Sequence, residues 1–552
     1  MMPNRRQILS WGLFSGASAL LGLKRAAAQL CPPDAGIPGI PQGTPYFPPS
    51  PKVTPFLTPL FIMPTAQPVP SLNPPPDARS HQRYDEFPPQ LFYEVFVREV
   101  PWIYHPELPP TPSWSYNGIL PGPTIVAKYG QPILVRMHNQ LPINNVGPAS
   151  PQITTHLHNF HTASESDGYP GDYFGPGTFW DYHYAMFPAG NDPLQRMTTL
   201  WYHDHMDGFT AANVYAGLSA FFLIFDDQDT GDENDPNPAA FRLPSGKYDV
   251  PLILHDVLFD QNGMAFFDSM NTDGILGDRF TVNRRIQPFF QVERRKYRLR
   301  ILNGGPSRFY TIVIGTDPVH PNPGIPFAVV TNDGNFCEEP IITDNLVMGI
   351  ANRFDIVVDF SQFPAGTSLY LQNRMRQTDP RGPELPITTL NPGDSLMRFD
   401  VVPATGPDNS QIPSTLRAQP DIPLDKVKQR RTFLFDYMQG LWVINNQIFD
   451  NDMPAFTVKQ GEPELWTLRN EGNIWSHPIH IHFEEFDTIT INGKPLTGTE
   501  LKLHRKDTIN LFPNDEAVIF IQFRDFLGRY VMHCHNVVHE DHAMMLRFDV
   551  VP

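Results

Sequence analysis

Eight residues recur almost unchanged in this chain. Leu396-Met397-Arg398-Phe399-Asp400-Val401-Val402-Pro403 returns as Met545-Leu546-Arg547-Phe548-Asp549-Val550-Val551-Pro552, and Ala220-Phe221-Phe222-Leu223-Ile224-Phe225-Asp226 closes the first third of the chain in a similar way. A second repeat lies upstream of each. Arg136-Met137-His138-Asn139, Arg300-Ile301-Leu302-Asn303 and Thr467-Leu468-Arg469-Asn470 each end an apolar, β-like run. Short apolar or alternating runs between Gly, Pro and Asn turns read as sandwich strands. The chain therefore reads as all-β, with three β-sandwich domains of one kind. A length of 552 residues suits three such units better than one core. The 61 prolines disfavour a helical protein. The expected domains are 29–228, 246–403 and 428–552. The acidic stretch 227–247 and the proline-containing stretch 404–427 read as linkers. Residues 29–88 are proline-rich and weakly periodic, an extended belt on the first domain or a partly mobile segment.

Asn4-Arg5-Arg6-Gln7-Ile8-Leu9, an apolar run from Trp11 to Leu23 and the small-residue site Ala26-Ala27-Ala28 read as a twin-arginine signal peptide spanning 1–28. Its apolar run is too short to span a membrane. The expected location is periplasmic or extracellular, without membrane insertion after cleavage. Removal of 1–28 takes four basic residues and no acidic one, leaving 37 basic against 58 acidic, a balance of −21. That excludes nucleic acid and anionic membranes as expected partners. Of the three cysteines, Cys31 and Cys337 could pair in an oxidising compartment, and sequence leaves this open.

The third cysteine lies in the densest chemistry of the chain, His533-Cys534-His535-Asn536-Val537-Val538-His539-Glu540-Asp541-His542-Ala543-Met544-Met545. On a strand, His533 and His535 point one way and Cys534 the other. One segment then serves two sites. Cys534, His539 and Met544 suit a blue-copper centre that needs one more His. Three further clusters supply imidazoles: His477-Pro478-Ile479-His480-Ile481-His482, His156-Leu157-His158 and His203-Asp204-His205. Closed zinc sites would show C-x-x-C or Cys/His spacing, which is absent. His539-Glu540-Asp541-His542 also misses the H-E-x-x-H pattern by one position.

These clusters resemble the four copper motifs of the multicopper oxidases, in the branch of bacterial spore-coat laccases and bilirubin oxidases. Asn117-Gly118-Ile119-Leu120-Pro121-Gly122-Pro123-Thr124-Ile125, Leu200-Trp201-Tyr202-His203-Asp204-His205 and Trp475-Ser476-His477-Pro478-Ile479-His480-Ile481-His482 extend the resemblance from about Asn117 to the C-terminus. It implies cupredoxin-like Greek-key domains and four copper ions. The type 1 ion would take His477, Cys534 and His539, with Met544 axial. The type 2 ion would take His156 and His480. The type 3 pair would take His158, His203, His205, His482, His533 and His535.

The resemblance also implies the reaction. A small-molecule donor (a phenol, aromatic amine or tetrapyrrole) gives up single electrons near the edge of His477. They pass through Cys534 to His533 or His535, and O₂ is reduced to water. Glu540 and Asp167 match acidic residues that deliver protons, and Trp475 matches a residue flanking the donor. Asn159 stands where the family usually has Gly, which should alter a turn and spare the ligand. The middle third carries Ser307-Arg308-Phe309-Tyr310-Thr311-Ile312 where the last third carries its histidines, so it should act as a copper-free spacer. His138, His161, His183, His255, His320, His504 and His542 have no partner at metal spacing, and His542 reads as a surface residue. The alternatives are a metallo-oxidase acting on Cu(I) or Mn(II), which the scattered methionines do not favour, and a non-catalytic copper-binding protein. The protein is expected to be a monomer.

Overall fold

The computed structural model describes residues 48–552 except 144–146, 321 and 390. The twin-arginine segment and Cys31 lie outside the described residues. The strands form six sheets, and each sheet draws on one third of the chain. Two four-stranded sheets lie within 91–225, an eight- and a five-stranded sheet within 249–402, and a seven- and a five-stranded sheet within 429–551. Each pair of sheets encloses its own apolar core, in which Val95, Ile133 and Leu157, then Leu299, Ile312 and Ile356, then Trp466, Ile479 and Ile519 are fully buried. The fold is all-β, built from sandwiches.

The repeats have a structural cause. The strands Ile133–Asn139, Lys296–Asn303 and Pro463–Asn470 all stop on an asparagine. In each, the Asn Oδ1 accepts from the backbone N–H two residues on, at Leu141, Gly305 and Gly472. Such Asx turns end a strand sharply. Each of these strands lies parallel to an earlier one, Leu91–Trp102, Asp249–Phe259 or Gln429–Met438. The closing strands Ser219–Phe225, Asp394–Val402 and Met545–Val551 likewise each lie parallel to a short earlier strand. Parallel neighbours need crossovers rather than hairpins.

The linker stretches are tied down, contrary to their acidic and proline-containing appearance. Asp229 is buried against Arg298 at 2.9 Å and Glu233 against Arg295 at 2.6 Å. Asp226 pairs with Arg417. Buried charges persist only when paired, so these acids are interior links. The proline-rich belt reaches beyond the first sandwich. From 48 it carries no strand, and isolated bridges pair Pro59 with Phe289, Thr65 with Thr124 and Val69 with Phe92. It thus laces the second sandwich to the first. Cys337 is a free thiol buried in the second core, where burial pushes it up to about 12.

Candidate metal centres

The strand Gly528–Cys534 runs antiparallel between His477–Ile481 and Met545–Val551. Its last residues turn Cys534 into the third sandwich's core and His533 away from it. On the Cys534 side, Sγ lies 3.5 Å from His477 Nδ1 and 3.7 Å from His539 Nδ1, and the two nitrogens are 3.2 Å apart. Met544 is fully buried in the same core, and its backbone N–H and carbonyl bond to His539 and Cys534. His539 sits on the short helix Val537–Asp541, which Asn536 caps. His539 Nε2 donates to the carbonyl of Asp273 at 3.0 Å, which leaves Nδ1 its lone pair. Burial pushes His477 down to about 3 and the Cys534 thiol well above its ordinary range. A cation bound between them would remove that proton.

On the other side, eight imidazoles form a cage at the boundary of the first and third sandwiches. His156 and His158 come from the strand Thr155–His158, His203 from the end of Thr199–Asp204 and His205 from the residue just after it. His480, His482, His533 and His535 come from the third sandwich. All eight are at most 1% exposed. The Nε2 atoms of His205, His482 and His533 lie 3.1–3.2 Å from one another. Metal–nitrogen bonds of about 2.0 Å place tetrahedral donors about 3.3 Å apart, so this triangle fits a metal. Elsewhere, one nitrogen of a ring is held by a carbonyl and the other is left without a partner. His156 Nδ1 bonds the carbonyl of Asp167, His203 Nδ1 that of Asp204 and His480 Nδ1 that of Asp507. Their Nε2 atoms, His158 Nδ1 and both nitrogens of His535 are buried without partners. Burial, with repulsion between neighbouring rings, holds His156, His158, His205, His480, His482 and His535 well below the usual imidazole range. Neutral, oriented imidazoles are what a metal requires.

The two predicted acids meet the cage. Asp167 is fully buried, with Oδ2 2.7 Å from His482 Nδ1, and burial lifts its carboxyl well above the usual range. Gly168 makes this approach possible, because a Cβ there would sit 2.3 Å from the Thr155 carbonyl oxygen. Glu540 is 2% exposed and places its oxygens 3.3 Å from His205 Nδ1 and 3.2 Å from His533 Nδ1. Asn159 adopts φ 66° and bonds Asp333 and Met197 through Nδ2. It thus fills a left-handed position that Gly would otherwise take.

Sequence reasoning missed several residues. Trp442 is fully buried and stacks on His539 at 3.8 Å, with its ring edge-on to His477 at 5.5 Å. Trp475 stands behind it at 5.1 Å, half-buried, and bonds Asp273 Oδ1 through Nε1 at 3.2 Å. His477 is only 1% exposed beneath this aromatic roof. Asp273, Asp507 and Arg353 also touch or support the histidines, and no local spacing announced them. The second sandwich gives the clusters no His or Cys among the described residues, yet its Asp273 and Arg353 reach both sites. His542 is half-buried, its Nδ1 donating to the Val538 carbonyl at 2.7 Å.

A Cys/His/His site beside a histidine cage, on stacked β-sandwiches, defines a copper oxidoreductase. Residues 101–229 and 421–552 each match a family model described as multicopper oxidase. The chain is 32% identical over 509 residues to a bilirubin oxidase of Albifimbria verrucaria, covering 91% of this chain and 82% of that protein. It is 31% identical to a laccase of Bacillus stratosphericus, covering 84% and 96%. A crystal structure of a laccase from Pediococcus acidilactici superposes with a TM-score of 0.72 at 23% identity, covering 92% and 95%. The chain belongs to the multicopper oxidase family and is laccase-like, with domains of the cupredoxin kind.

Proposed function

We propose that this chain is an exported laccase-like oxidase that takes single electrons from an organic donor and returns four to O₂, forming water. The observation that carries this reading is the position of Cys534 between His533 and His535. One dipeptide step joins the two clusters. His477, Cys534, His539 and Met544 would hold the type 1 ion, and His156 and His480 the type 2 ion. His158, His203, His205, His482, His533 and His535 would hold the type 3 pair. The bound copper supplies one-electron acceptance at the first site and multi-electron reduction of O₂ at the second.

The chain's own groups do the rest. Burial of the cage excludes bulk water, and Asp167 and Asp204 orient its rings. Glu540, accepting from Thr210 Oγ1 at 2.6 Å, places its carboxyl beside His205 and His533 for proton exchange, and Asp167 holds a proton beside His482. The roof of Trp442, Trp475 and Tyr437 favours flat organic donors (phenols, aromatic amines or tetrapyrroles) over metal ions. The relative called bilirubin oxidase supports the tetrapyrrole among them. The domain limits 29–228, 246–403 and 428–552, the twin-arginine route to the periplasm or medium and the monomeric state are part of this reading. Among the described residues no helix is long and apolar enough to cross a membrane. Oxygen uptake with a phenolic dye tests it: one O₂ per four electrons without released peroxide is expected. Peroxide as the main product would overturn it.

A further inference from the structure

Two aspartates hold the cage in the same way from opposite sides. Asp167, in the first sandwich, accepts from His156 Nδ1 with its backbone carbonyl at 2.5 Å and faces His482 Nδ1 with Oδ2 at 2.7 Å. Asp507, in the third, accepts from His480 Nδ1 with its backbone carbonyl at 2.9 Å and faces His158 Nε2 with Oδ1 at 3.1 Å. Each carbonyl takes a ring of its own sandwich, and each carboxylate takes a ring of the other. The rings so held stack in matching pairs, His156 on His482 and His158 on His480, both at 3.8 Å.

The second arm differs in one respect. Asp507 Oδ2 lies 2.6 Å from Arg353 NH1, and Thr508 Oγ1 donates to Oδ1 at 2.7 Å. Arg353 is fully buried and belongs to the second sandwich. Its backbone N–H bonds Asp333 Oδ1 at 3.0 Å and its NH2 the Asp333 carbonyl at 3.0 Å. Asp507 is thus fixed from a third direction. The consequence for His158 is specific. With Nε2 turned to a carboxylate, only Nδ1 is left to face the cage, and that atom is buried without a partner.

We propose that Asp507 is a positioning residue for the cage. It fixes which nitrogens of His158 and His480 face the metals, and Arg353 makes the ligand-free second sandwich part of that setting. The proposal rests on the cage binding copper as proposed above. The second contact of a ligating imidazole typically changes metal affinity by about 10–100-fold when lost. Asp507→Ala, Asp507→Asn and the unaltered protein are copper-loaded and compared for copper per chain, blue absorption of the Cys534 site and type 2 EPR signal. Asp507→Ala keeps the backbone carbonyl that holds His480 and removes the carboxylate on His158, so it should keep the blue band and the type 2 signal and bind the copper at His158 roughly 10–100-fold more weakly. Asp507→Asn retains an oxygen for His158 Nε2 and should restore cage copper. Unaltered copper content in Asp507→Ala would overturn the proposal. Where Asp507→Ala loses the blue band as well, Asp507→Asn decides. Return of cage copper supports the role, and its failure to return overturns it. An unaltered protein without a type 2 signal would instead overturn the copper assignment beneath it.

Discussion

Glu540 lies behind His533, with Oε2 3.2 Å from Nδ1, the nitrogen turned away from the His205–His482–His533 triangle. A buried carboxylate there can take or give a proton without entering the metal's coordination. Glu540→Gln keeps the shape and removes the exchangeable charge. General acid–base groups contribute about 10²–10⁴-fold. Turnover with O₂ should fall by at least roughly 10²-fold while the blue band is unchanged. Stopped-flow reoxidation of the reduced protein measures it, and a rate within a few-fold of the unaltered protein would rule out the proton role.

Asn159 links a backbone constraint to the cage, since it directly follows His158. At φ 66° an alanine pays the left-handed penalty and loses the bonds to Asp333 and Met197. Asn159→Ala should cost about 1–2 kcal/mol, and Asn159→Gly clearly less. Denaturant unfolding of the two variants gives the comparison. Equal stability would mean that the turn is not strained.

The buried His161 gives a pH signature. Burial lowers its pKa, but Glu484 at 3.3 Å and Asp525 at 2.9 Å outweigh this, so the net shift is upward from 6.5. A raised folded pKa stabilises fully below the unfolded value and is lost as pH rises through the folded one. The thermal midpoint advantage over His161→Gln should therefore be largest below about pH 6.5 and shrink at higher pH. An advantage independent of pH would contradict the ion-paired form.

How much of this was legible follows from where the signals lie. The repeats announced the sandwiches because Asn139, Asn303 and Asn470 each end a strand with one local bond pattern. Cys534 and its neighbours were legible because strand alternation is a local rule. Asp507, Arg353, Asp273 and Trp442 were not, since each reaches the histidines through space from another strand or another sandwich. The acids of the stretch 227–247 looked like a solvated linker because their arginine partners, Arg295 and Arg298, lie far along the chain.

Trp442 fills the space over His539, and its indole N–H donates to the Thr272 carbonyl at 3.0 Å. Trp442→Ala should cost about 3–5 kcal/mol and open the site to water. Trp442→Phe keeps a stacked ring and should retain the fold and the blue band. Thermal melts read the first effect, and the visible spectrum reads the second. A stable Trp442→Ala would show that the roof can collapse onto the imidazole.

The most direct test of the account is the visible and EPR spectrum of the copper-loaded protein. The account predicts an intense blue band from the His477, Cys534 and His539 site together with a type 2 signal from the His156 and His480 pair. Full copper loading without a blue band would contradict the assignment of Cys534, and the link between the two centres with it.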